Sequence, residues 1–91
     1  MSPTAEKISN LLSSNLQVHH LDIIDDSAKH QSHKKDSSGG HYTMILISND
    51  FIELDLLTRH KKVYRILDTL MKTEIHALSM KLMTVEEFKK S

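Results

Sequence analysis

Seven histidines and no cysteine bound the chemistry open to this chain of 91 residues. Imidazole is the commonest protein metal ligand. Without cysteine there can be no disulfide, no thiolate nucleophile and no iron–sulfur cluster held by the chain's own thiolates. Soft-metal chemistry must therefore use imidazole, or borrow thiolate from a partner. The histidines are His19, His20, His30, His33, His41, His60 and His76. His30 and His33 stand three apart in a polar stretch, a spacing too common to specify a site alone. No nucleophile–base pair with local context, phosphate-cradling loop or HExxH pattern is present, so the sequence gives no reason to expect an enzyme.

The elements that must position these side chains follow from periodicity. Ser2-Pro3 reads as an N-cap with proline at the first helical position. Ile8, Leu11 and Leu12 give the apolar stripe of a first helix over Pro3 to Asn15. Val18 to Asp25 reads as a first strand and His41 to Ser48 as a second, with apolar residues on both faces of the second, as a central strand requires. Residues 27–40, SAKHQSHKKDSSGG, contain nothing able to offset the entropy of ordering by burial, and read as a mobile hairpin loop. Asn49-Asp50-Phe51 reads as a turn. Leu56, Leu57, His60, Val63, Tyr64, Leu67, Leu70 and Met71 predict one long helix over Leu54 to Met71. Ile75 to Met83 alternates as a third strand. Thr84 and Glu87 form a capping box that opens a short last helix, expected to carry Phe88 into the core.

The result is one α+β domain over residues 1–91 with the order αββαβα. It should form a three-stranded mixed sheet covered by helices on one face. A right-handed crossover makes the second and third strands parallel. Both then start at the end where the hairpin loop returns. His30 and His33 in the loop, His41 and His76 should gather at that edge. Metal binding there competes with a plainer reading, in which the loop histidines are solvated and His76 is half-buried. His60, on the helix stripe, reads as a hydrogen-bonded core histidine. His19 and His20 lie at the far end of the sheet.

Twelve Lys and Arg balance twelve Asp and Glu. Zero net charge argues against a protein built mainly to bind nucleic-acid phosphates, although local basic runs remain. No segment is long and apolar enough to span a membrane. The N-terminal residues resemble neither a signal nor a transit peptide, which makes cytoplasm the default expectation.

Several segments together resemble the BolA family. They are Arg59-His60-Lys61-Lys62-Val63-Tyr64, the strand Ile75-His76-Ala77-Leu78-Ser79-Met80-Lys81-Leu82-Met83-Thr84, and His41-Tyr42 opening a strand that ends at Ser48 with Phe51 beyond. Asp25-Asp26-Ser27-Ala28-Lys29-His30 adds the approach to the family's variable loop. The resemblance implies a KH-like (class II) fold and a partner rather than a reaction. The partner is a monothiol glutaredoxin, joined as a heterodimer around a [2Fe–2S] cluster. Glutaredoxin and glutathione bring thiolates, His76 is one ligand, and His30, or His33 in its place, is the second. The isolated chain would hold no cluster and would be a monomer or weak homodimer. The family also implies an alternative, a nucleic-acid-binding regulator of stress and morphology genes, for which Arg59, Lys61, Lys62 and Arg65 are the candidate contacts. Two positions depart from the family. Glu53 stands where a glycine is frequent after the turn, which weakens a close approach to a phosphate backbone. Val85 replaces a proline at the start of the last helix.

Overall fold

The computed structural model describes residues 2–27 and 40–91; His30 and His33, and with them most of the expected loop, lie outside the described residues. Helix α1 spans Pro3–Asn15, and its cap is the expected one: the Ser2 hydroxyl accepts from the Ala5 N–H at 3.1 Å. Strand β1 spans His20–Asp25 and strand β2 spans Gly40–Ile47. A 3-10 turn over Asn49–Phe51 follows, capped by the Ser48 side chain. Helices α2 (Leu56–Ile66) and α3 (Asp68–Thr73), strand β3 (Ile75–Met83) and helix α4 (Val85–Lys90) complete the chain.

The sheet order is β1-β2-β3, with β1 antiparallel and β3 parallel to β2. The fold class and the mixed sheet are thus as the sequence implies. Ile8 and Leu12 of α1, Tyr42, Met44 and Leu46 of β2, and Val63, Leu67 and Leu70 from the helical crossover enclose one core around Phe51. Alternation along β2 sends Tyr42, Met44 and Leu46 under the helices, while Thr43 and Ile45 face the other way and are only half-buried.

Four local expectations are corrected. The long helix is two: Leu67, at φ −95° and ψ 13°, leaves the helical region and separates α2 from α3. Neither glycine nor proline marks this break, and the apolar repeat runs through it. At the start of α2, Asp55 caps the Thr58 N–H, and Leu56 and Leu57 point outward, each 63% exposed. His60 is half-buried rather than in the core, with its Nδ1 2.8 Å from the Leu56 carbonyl. Phe88 does not enter the core either; it is partly exposed and stacks on His20, with ring centroids 6.3 Å apart.

Helix α4 is fastened from below. Its capping box is complete, with Thr84 accepting from the Glu87 N–H and Glu87 accepting from the Thr84 N–H. Glu87 also receives two bonds from Arg59, at 2.7 and 2.9 Å. The Val85 N–H donates to the Asn49 side-chain oxygen at 3.1 Å, a bond that proline at this position could not make.

Candidate functional site

Two histidines meet where β2 and β3 begin. The parallel register pairs Gly40 with Ile75 but His41 with Ala77, so His76 is the extra residue of a bulge. The His41 and His76 rings lie with centroids 5.0 Å apart and planes tilted by 50°. His41 is half-buried and His76 is exposed. The two imidazoles are in ring contact at this corner. Among the described residues no group of three His, Cys, Asp or Glu is placed to hold a metal ion.

The surrounding backbone holds this corner by three links. The Asp26 N–H donates to the His41 carbonyl at 2.7 Å, and the His41 N–H donates to the Ser27 hydroxyl at 3.2 Å. The Gly40 N–H donates to the Glu74 carbonyl at 2.9 Å. Ser27 and Gly40, on either side of residues 28–39, are thus pinned beside His76. Gly40 is required by space: a Cβ there would stand 2.6 Å from the Tyr42 ring and 2.8 Å from the Ser27 hydroxyl oxygen.

Charged groups brace the same corner. The Glu74 carboxylate accepts from Thr4 at 2.8 Å and from Lys7 at 2.7 Å, which ties α1 to the residue just before β3. Those two bonds, led by that of Lys7, hold its pKa below the ordinary value. Asp25 is lowered too, chiefly by hydrogen bonds from the Ser27 hydroxyl and N–H. The Thr43 hydroxyl donates to Asp26 at 2.6 Å. Glu74, Thr4, Lys7 and Ser27 carry no signal of this role in the sequence, because their partners are distant along the chain.

The candidate nucleic-acid contacts fall into two groups. Lys61 and Arg65 lie exposed on α2, where they line a shallow groove of about 500 Å³ with Tyr64 and Asp68, and Lys62 beside them is half-buried. Arg59 is buried and committed elsewhere: its Nε donates to the Leu54 carbonyl at 2.8 Å, and one Nη donates to the Leu82 carbonyl at 3.1 Å. With both carboxylate oxygens of Glu87 also bonded to the guanidinium, Arg59 is removed from the set of phosphate contacts. Glu53, at the position where glycine is frequent, has φ +68°, the sole non-glycine described residue with positive φ.

The described elements form an α+β module with a mixed three-stranded sheet and His76 on the bulge that opens its third strand. The chain belongs to the BolA-like protein family, whose model matches residues 12–87. It is 34% identical over 86 residues to an uncharacterized protein of Buchnera aphidicola, a match covering 94% of this chain and 81% of that protein. It is 32% identical over 82 residues to a Haemophilus influenzae protein named DNA-binding transcriptional regulator BolA, covering 90% of this chain and 78% of that one. Among solved structures, BolA1 from Arabidopsis thaliana superposes with a TM-score of 0.81 at 28% identity, over 96% of this chain and 98% of that one.

Proposed function

We propose that this protein supplies histidine ligands to a [2Fe–2S] cluster held jointly with a monothiol glutaredoxin and glutathione. The observation that carries the proposal is the place of His76, exposed at a corner flanked by both ends of the segment that contains His30 and His33. His76 is the first ligand. The second is His30, with His33 as its alternative, and the thiolates come from the partner and its glutathione. The donor set supports this division: the chain has imidazoles at the corner and no cysteine anywhere. Neutral imidazole in place of thiolate raises a cluster's reduction potential. It also makes ligation sensitive to pH, because a ligating imidazole must be deprotonated.

The test is a reconstitution of the full chain with a monothiol glutaredoxin, glutathione and iron–sulfide. The pair should have a visible spectrum distinct from that of the glutaredoxin alone, and His76→Ala should abolish the difference. Identical spectra with and without the imidazole would refute the assignment.

A second reading, DNA binding, is favoured by the name carried by the Haemophilus relative and by the exposed cations Lys61 and Arg65 on α2. Zero net charge and an acidic residue at Glu53 weigh against it. A gel-shift titration at physiological salt decides: specific binding supports it, whereas binding that disappears with salt is electrostatic background.

A further inference from the structure

The start of β3 departs from simple alternation. Ile75 is buried, His76 and Ala77 are both exposed, and Leu78 is half-buried. Ile75 and Leu78 turn toward the helices, where both pack with the core. His76 and Ala77 therefore share the other face of the sheet, as the two residues of a bulge that oppose the single residue His41. His41 belongs to that same face, since the next residue, Tyr42, points under the helices. A regular ladder would send His76 to the helical side with Leu78. The bulge has re-aimed it, and the ring it meets is that of His41, with centroids 5.0 Å apart and planes tilted by 50°.

The two rings are held unequally. His41 is half-buried, and both polar groups of its backbone are fixed: its N–H donates to the Ser27 hydroxyl at 3.2 Å and its carbonyl accepts from the Asp26 N–H at 2.7 Å. His76 is exposed. A metal-ligating histidine is ordinarily aimed by a hydrogen bond from its second ring nitrogen to a carboxylate, a carbonyl or water. Among the described residues no such bond is made by His76, and its ring contact is with His41.

We propose that His41 is the positioning residue for His76. Its anchored ring is a wall that limits the directions the exposed imidazole can take, so that the ligand meets its cluster already aimed, while His41 itself donates nothing to the iron. What His76 binds rests on the cluster reading above; the restraint on its ring is a property of this chain alone. Immobilising a free side chain at the moment of binding costs roughly a factor of two to ten in affinity, and His41 removes that cost in advance.

Two variants separate the ring from its nitrogens. His41→Phe keeps a flat ring of similar size. His41→Val suits a strand but removes the ring. In the full chain without a partner, NMR relaxation should show an ordered His76 ring in the unmodified protein and in His41→Phe, and a flexible one in His41→Val. In the pair with a monothiol glutaredoxin and glutathione, His41→Val should lose the cluster to a chelator roughly two- to tenfold faster, and His41→Phe at close to the unmodified rate. A His76 ring equally ordered in His41→Val would overturn the proposal. So would a His41→Phe pair that loses its cluster as fast as His41→Val, because the imidazole nitrogen would then take part in its own right. If His76→Ala leaves the spectrum of the unmodified pair unchanged, the cluster reading falls, and relaxation in the free chain still decides on His41.

Discussion

Replacing Arg59 with methionine should be the most damaging single change outside the apolar core. The guanidinium is buried, and it makes bonds to two backbone carbonyls, Leu54 and Leu82, and a two-pronged bond to Glu87. It also lies over the Phe51 ring, 5.8 Å from the centroid. Methionine keeps much of the apolar stem and loses every one of these bonds. Hydrogen bonds to a charged group are worth about 1.5–3 kcal/mol each. The Glu87 side of the pair is 48% exposed, and screening by water reduces its share. Taking the two carbonyl bonds near the low end, with a discounted ion pair, gives a loss of about 3 kcal/mol. For a domain this small that corresponds to a fall in Tm of roughly 12–24 °C. Urea unfolding followed by circular dichroism would measure it, and a loss below about 1 kcal/mol would refute the view that Arg59 locks α4 onto the sheet. The same pair sets an acid limb. Arg59 and the Thr84 N–H lower the Glu87 pKa from 4.5 to about 2. Because the folded value is the depressed one, the stabilisation is full above the unfolded pKa and is lost as pH falls through about 2. Arg59→Met should therefore flatten the stability profile between those limits.

Two further substitutions test the backbone reasoning. Gly40→Ala forces a Cβ against Tyr42 and Ser27; it should cost about 1–3 kcal/mol in urea unfolding and shift the amide resonances of His41 and His76. Glu53→Gly relieves a left-handed backbone but gives the unfolded chain more freedom, and the net should be a gain of up to about 1 kcal/mol in the same assay.

The sequence is informative wherever the signal is local. The Ser2-Pro3 cap, the Thr84–Glu87 box and the alternation of β3 from Leu78 to Leu82 each depend on near neighbours and appear in the structure at the expected residues. The bulge at His76, by contrast, breaks the alternation at the start of the strand and leaves that histidine exposed rather than half-buried. The meeting of His41 with His76 is also legible, although 35 positions separate them in the numbering of the chain. One general rule, the right-handed crossover, places both at strand starts on the same side. What the sequence conceals is tertiary. Arg59 reads as a surface cation in a basic run, and only the approach of α4 turns it into a buried tie. Phe88 reads as a core residue by its type, yet its helix passes the end of the sheet and leaves it against His20. The break at Leu67 is hidden because the apolar stripe serves both helices. His30 and His33 lie outside the described residues, and their part rests on the chain topology and the resemblance together.

The central claim is that nitrogen from this chain reaches the iron. Pulsed EPR on the reduced glutaredoxin pair, with 15N-histidine incorporated only into this chain, reads that contact directly. Strong 15N couplings that disappear in His76→Ala are the expected result. A reduced cluster with no strongly coupled nitrogen from this chain would contradict the account.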